Sequence, residues 1–227
     1  MSEHEVLLDI DRGKRLGLEE AIFCRHKSTA QLDVILSRID EAGRACLLTH
    51  LSGPQLAGVD ARFRASLDYD ETSRTAFFRQ SPGPQTLPEI GIVTAGSSDV
   101  PVAKEAQRTL EYFGVAALPA FDVGVAGLWR LLERIDELRE LPVVIAVAGM
   151  DAALPSVLGG LYPGLIVAVP TSVGYGVAAG GTTALHAILA SCASGVVAVN
   201  IDNGYGAACA ALRVLRPQRS QARGTAD

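Results

Sequence analysis

The sequence predicts an α/β protein: a three-layer parallel sheet with helices on both faces, preceded by a small α+β domain. Three observations carry that prediction. From residue 89 onward, five β-rich runs are each followed by a helical pattern, the order in which a parallel sheet is covered by its own crossovers. Each run ends in a small or polar cluster: "TAGSSD", "DVGVAG", "AGMDAALPS", "PTSVGYG" and "NIDNGYG". A seam, "QSPGPQTLPE" (residues 80–89), sets three prolines and a glycine between this alternation and a different pattern before it. The expected boundaries are 1–83 for the small domain, 84–216 for the α/β domain and 217–227 for a disordered tail.

Before the seam, "EAIFC" and "ACLLTH" read as short strands. Between them "STAQLDVILSRIDEAG" has apolar residues at helical spacing, with Ser28 or Thr29 as N-cap. "SLDYDETSRTAFF" reads as a hairpin around a polar turn. After the seam, "EIGIVTAG" leads into the helix "SDVPVAKEAQRTLEYFG", and "VAALPAF" into "GLWRLLERIDELRE". "PVVIAVAG" precedes "DAALPSVLGGL", "LIVAVP" precedes "GGTTALHAILASC", and "VVAVNI" precedes "YGAACAALRVL".

Composition narrows the function classes. With 227 residues, 48% of them hydrophobic, the chain can bury a real core. A net charge of −5 gives no electrostatic basis for a nucleic-acid partner. The four cysteines form no CxxC pair and no metal-ligand spacing with histidine. The acidic, polar start "MSEHEVLLDIDRGKR" is unlike a signal peptide, and the longest apolar run, "PVVIAVAGM", is too short for a membrane span. The expectation is a cytoplasmic protein with reduced thiols.

Parallel α/β sheets bind ligands at the carboxyl ends of their strands, so the terminal clusters are the candidate site. Thr94, Gly96, Ser97 and Ser98 suit a phosphate cradle, and Asp99 suits a ribose hydroxyl or a helix cap; ordinary turn chemistry fits the same residues. No Gly-Lys-Ser/Thr follows, so this is not a P-loop. Asp122, Gly124 and Gly149 stand at the next two strand ends, where glycine lets backbone approach a ligand. Asp151, among apolar residues, suits a general base, and equally an N-cap. Thr171, Ser172, Gly174, Tyr175 and Gly176 belong to an unusually long loop, in which Tyr175 can stack on a flat ligand. Asp202 and Asn203 can hold Mg²⁺ through oxygen, although Asp-Asn-Gly is also a standard turn. Cys192 is either small apolar filler or a nucleophile.

Taken together, "TAGSSD", "DVGVAG", "VVIAVAGMDAALPSVLGG", "PTSVGYG" and "SCASGVVAVNIDNGYGA" resemble the pyridinium-3,5-biscarboxylic acid mononucleotide synthase (LarB) family. "EEAIFCRHKSTAQ" and "LDYDETSRTAFF" are similar to its smaller domain, and the second region resembles the aminoimidazole ribonucleotide carboxylase/mutase fold. That resemblance implies carboxylation of nicotinic acid adenine dinucleotide at C5 with CO₂. It also implies hydrolysis of the phosphoanhydride to release AMP, with Mg²⁺ for that step. Cys192 is then the covalent nucleophile, Asp151 the base, and a homo-octamer the assembly. Where that family carries glutamate this chain has Asp151, drawing the carboxylate back by about 1.5 Å, and Trp129 stands where histidine is expected. The alternatives are a specialised relative acting on another nicotinate or pyridinium nucleotide, and a non-catalytic nucleotide-binding subunit. An aminoimidazole ribonucleotide mutase ranks lower, because "AGMDAALPS" contains no histidine. Charged residues are nearly absent from 152–212, and so many small residues suggest that part of this surface faces another subunit.

Overall fold

Two sheets organise the chain, one in each of two units, Met1–Gly83 and Pro84–Asp227. The computed structural model describes residues 6–79, 83 and 87–224, the side chains of 216–224 excepted. Most of the proline-rich seam therefore lies outside the described residues.

The first unit runs α1 (Arg12–Leu16), β1 (Ile22–Phe23), α2 (Thr29–Glu41), β2 (Cys46–Thr49), α3 (Gly53–Gly58), α4 (Ala61–Arg64), β3 (Leu67–Asp70) and β4 (Thr75–Phe78). Its sheet has the order β1-β2-β4-β3, with β1 parallel to β2 and the other pairs antiparallel. Ser28 caps α2 through a reciprocal capping box with Gln31, and Ser52 caps α3 in the same way with Gln55. The apolar stripe Leu32, Ile35, Leu36 and Ile39 of α2 is buried with Ile22, Leu48 and Phe78 in one core. The expected hairpin is β3–β4, while α1, α3 and α4 are additional short helices that the periodicity does not announce.

The second unit contains β5 (Pro88–Thr94), α5 (Val100–Tyr112), β6 (Ala116–Ala120), α6 (Trp129–Leu132), α7 (Ile135–Arg139) and β7 (Val143–Ala148). It continues with α8 (Ala153–Gly159), β8 (Leu165–Pro170), α9 (Thr182–Leu189), β9 (Val196–Ala198) and α10 (Gly204–Gly224). All five strands are parallel, in the order β6-β5-β7-β8-β9. Every residue of β7 is buried, which is why this strand reads as an unbroken apolar run. Helices α5 and α10 pack together on one face, and α8 and α9 cover the other, where Leu131, Leu138, Leu154, Leu158 and Ile188 join the core. The three expected layers are present.

Three local expectations change. "GLWRLLERIDELRE" forms two short helices, Trp129–Leu132 and Ile135–Arg139, separated at Glu133 and Arg134. The last helix runs to Gly224, so the backbone of residues 217–224 is helical where a disordered tail is expected. Residues 225–227 lie outside the described residues. Finally, the small residues of α10 are used inside the chain: Ala207, Ala208 and Ala211 are fully buried. A Cβ on Gly204 would lie 2.3 Å from the Val102 carbonyl oxygen, so the glycine lets α10 start directly against α5. Part of this stripe is thus used inside the chain. Among the described residues no helix is long and apolar enough to cross a membrane.

Candidate functional site

After β5 the chain turns to one side to form β6, then crosses to form β7 on the other side. Such a reversal leaves a crevice outside the carboxyl ends of the two central strands. The loops after β5, β7 and β8 meet there, and a buried carboxylate joins them.

Asp99 ends a 3-10 turn, Ser97–Asp99, and is only 3% exposed. Its Oδ1 accepts the Thr171 hydroxyl at 2.7 Å, and its Oδ2 accepts the Gly96 N–H at 2.9 Å. The Gly149 N–H also donates to it. One side chain thereby ties the ends of β5, β7 and β8. Burial pushes its carboxyl above the ordinary range; the three hydrogen bonds oppose that shift, and the nearby Asp202 carboxylate adds to it. Asp99 is expected at a ribose hydroxyl or as a cap. Instead its oxygens are engaged by the chain itself, and it gives α5 no side-chain cap, so it organises the cradle.

Thr94 and Thr171 are likewise interior, with no exposed surface, and Thr94 Oγ1 accepts the Asp122 N–H at 2.9 Å. Gly124 and Gly149 answer to the protein's own backbone: a Cβ would stand 2.5 Å from the Ala95 carbonyl oxygen in one case and 2.3 Å from that of Val173 in the other. The groups open to a ligand are Ser97, Ser98, Ser172, Tyr175 and Gly176, all exposed, beside the partly buried Gly96 and Gly174. Asp122 is paired with Arg130 at 2.6 Å. Sequence reasoning missed Arg130; its only signal is a cation two helical turns after a strand-end acid.

Asp151 is exposed rather than set among apolar groups. Nor does it cap α8: the N-cap position belongs to Ala152, and no side chain caps that helix. Met150 and Ala152 on either side hold left-handed φ values of 55° and 46°. Such conformations in non-glycine residues cost about 1–3 kcal/mol each and persist only where surrounding bonds impose them. Here the Met150 N–H donates to Val173 at 2.8 Å and the Ala152 N–H to Gly149 at 2.9 Å. The turn presents Asp151 at the crevice.

Cys192 is not brought to this edge. It lies in the loop between α9 and β9, at the amino ends of the strands. The neighbouring Ser191 Oγ accepts the Ser156 hydroxyl at 2.7 Å, and a Cβ on Gly159 would touch Ala193 at 2.7 Å. Cys192 thus stands beside the second half of α8, whereas Asp151 precedes its first turn. The order of elements held this signal, since a helix-to-strand loop always falls at the amino edge of a parallel sheet.

Of the four cysteines Cys192 is the exposed one. Burial pushes the Cys24 thiol up to about 12 and the Cys46 thiol higher still, which leaves both protonated and inert. The two residues expected to hold Mg²⁺ each engage one oxygen within the chain. Asp202 Oδ1 accepts the Ser172 N–H at 2.8 Å and Asn203 Oδ1 the Gly206 N–H at 2.8 Å. No group of three acidic, histidine or cysteine side chains able to hold a metal occurs among the described residues.

A doubly wound parallel sheet with a carboxyl-edge cradle, joined to a separate α+β unit, defines the class as a two-unit α/β protein. A profile described as AIR carboxylase matches residues 89–225, and one described as LarB/PurE-like N-terminal domain matches residues 4–80. The chain belongs to the AIR carboxylase family and carries the LarB/PurE-like N-terminal domain. It is 35% identical over 212 residues to an uncharacterized protein of Methanocaldococcus jannaschii, spanning 90% of this chain and 82% of that one. It is 36% identical over 136 residues to the N5-carboxyaminoimidazole ribonucleotide mutase of Pyrococcus horikoshii, spanning 56% of this chain and 72% of the mutase. A crystal structure of a Treponema denticola PurE2 variant aligns with a TM-score of 0.44 at 18% identity, over 62% of this chain and 96% of that one.

Proposed function

We propose that this protein carboxylates C5 of the pyridinium ring of nicotinic acid adenine dinucleotide and hydrolyses its phosphoanhydride, yielding pyridinium-3,5-biscarboxylic acid mononucleotide and AMP. The observation that carries this reading is the exposed Cys192 thiol, in a family of carboxylases and mutases whose chain here bears the additional LarB/PurE-like domain.

An electron-poor pyridinium ring cannot attack CO₂. Addition of the Cys192 thiolate at C4 forms a C–S bond and converts the ring to a dihydropyridine whose C5 is an enamine carbon. The C5 electron pair then attacks CO₂ and forms the new C–C bond. Asp151 takes the C5 proton, that bonding pair re-forms the ring double bond, and the thiolate leaves with the C–S electrons. Water attacks phosphorus in the separate hydrolysis, and AMP departs. Ser97, Ser98 and the Gly96 backbone hold the nicotinate-side phosphate, and Tyr175 stacks on the ring.

C4 and C5 are bonded neighbours, so thiol and base must act at one ring. Within one chain Asp151 follows the carboxyl end of β7 and Cys192 precedes the amino end of the parallel strand β9; in this reading the Cys192 that serves a given Asp151 comes from another copy. Leu189 and Val197, close to Cys192 in sequence, are 66% and 47% exposed, and Met150 beside Asp151 is 40% exposed, as surfaces covered by assembly would be. The proposed assembly is a homo-octamer with closed symmetry.

The test is incubation of the purified protein with the dinucleotide, bicarbonate and Mg²⁺. AMP and a dicarboxylated mononucleotide are expected in equal amounts. Binding without turnover overturns the enzymatic reading, and turnover of aminoimidazole ribonucleotide instead overturns the substrate.

A further inference from the structure

The first unit contains a cavity of about 460 Å³ that no step above uses. Its size falls in the range of small-molecule sites, roughly 300–1,000 Å³. Ile22, Phe23 and Ile35 give it an apolar wall, while His26, Lys27 and Gln31 give it a polar one; the carboxylate of Glu20 also lines it, with its Oε2 engaged by the Asp9 N–H at 2.9 Å.

Phe23 is the unusual member. It ends β1 with 45% of its surface exposed, yet it is held in place by two imidazoles. His50 meets its ring edge-on at 5.0 Å and His26 does so at 6.2 Å. The turn carrying His26 is rigid: the Lys27 N–H donates to the Cys24 carbonyl at 2.9 Å. The Gln55 amide donates to the carbonyls of Cys24 and Lys27 at 2.7 and 2.8 Å. An exposed aromatic ring, an ammonium and an imidazole therefore stand preformed around one cavity.

We propose that this cavity binds a free nucleoside monophosphate, the AMP that the proposed reaction releases, with the base stacked on Phe23 and the phosphate held by Lys27 and His26. A planar base fits an aromatic ring, and a phosphate dianion fits a lysine ammonium beside an imidazole donor. The AIR carboxylase profile covers residues 89–225 alone, and the Pyrococcus horikoshii relative, named as a mutase of a mononucleotide, matches only 56% of the chain. The first unit is what this chain has in addition to the matched region. Only the choice of adenine rests on the proposed function.

The experiment follows the histidine ring protons of the full-length protein by NMR during titration with AMP, with inorganic phosphate, and with nicotinic acid mononucleotide. AMP is expected to shift the His26 and His50 signals and to leave His186 unmoved. Phe23→Ala and Lys27→Met, both at solvent-accessible side chains, should each weaken AMP binding about tenfold. The proposal fails if AMP leaves His26 and His50 unmoved, if phosphate alone produces the same shifts, or if both variants bind AMP as tightly as the parent. AMP binding at His26 in a protein that turns over no dinucleotide sinks the carboxylase reading and leaves this site standing; turnover without those shifts does the reverse.

Discussion

Asp99 and Thr171, 72 residues apart, are joined by a 2.7 Å hydrogen bond in the interior of the second unit. Because the same carboxylate also holds the N–H groups of Gly96 and Gly149, three strand ends share one anchor. Asp99→Ala would leave a buried hydroxyl and two buried N–H groups without their acceptor. The expected loss is about 2–4 kcal/mol of stability at neutral pH, read from urea denaturation. Asp99→Asn keeps the volume and one acceptor oxygen, and Thr171 can turn its hydroxyl to accept, so its loss should be about 1 kcal/mol. Equal losses in the two variants would show that Asp99 acts by volume alone.

The same residue sets a pH dependence. Burial raises the Asp99 carboxyl above 3.8 in the folded protein. A group with a raised folded-state value binds its proton more tightly when native, so its stabilisation is present below the unfolded value and is lost as pH rises through the folded one. The stability of the parent should therefore fall relative to Asp99→Asn as pH rises above 3.8, then level off. Urea midpoints of both proteins between about pH 4 and 8 measure this, and a constant gap contradicts it.

Gly149→Ala tests whether the crevice tolerates slack. The new Cβ would stand 2.3 Å from the Val173 carbonyl oxygen and 2.6 Å from Thr171 Oγ1, so the Val173 loop must move and the Asp99–Thr171 bond with it. A loss of at least about 2 kcal/mol is expected. A melting temperature equal to the parent's would mean that the loop is softer than its bonds imply.

The strand–helix order, the Ser28 cap and the β3–β4 hairpin were legible because each is local: periodicity, a capping residue and a polar turn lie within a dozen residues. Two strong sequence signals have partners that no local pattern shows. Gly124 and Gly149 do permit close approach, but to the backbones of Ala95 and Val173, partners that only the folded sheet brings near. Asp99 looked like a ligand group because its burial depends on Thr171, far along the chain. The left-handed Met150 and Ala152 were not legible at all, since neither residue type advertises that conformation.

That turn gives a further test. Glycine adopts a φ of 46° without strain, so Ala152→Gly should stabilise the second unit by about 0.5–1 kcal/mol. If the strain serves to present Asp151, the same change should lower carboxylation by loosening the turn. The two readouts are a thermal melt and initial rate; a gain in both would separate the strained backbone from the chemistry.

The last expectation concerns the two halves of the site. Cys192→Ser should abolish carboxylation, since a serine hydroxyl is a poor substitute for a thiolate at C4, and Asp151→Asn should leave the C5 proton without an acceptor. Each variant alone assembles sites that lack one group everywhere. In a mixed assembly of the two, some sites combine an intact Cys192 from one chain with an intact Asp151 from another, and activity should return. If partners mix at random, about a quarter of the sites regain both groups, because each is intact with a probability of one half. Co-expression under two affinity tags, tandem purification and the carboxylation assay give the measurement. Recovery is possible only when the two groups of one site come from different chains. A mixed assembly as inactive as either parent, with its mixing verified by mass, would place Cys192 and Asp151 of the same chain at one ring and overturn the shared site.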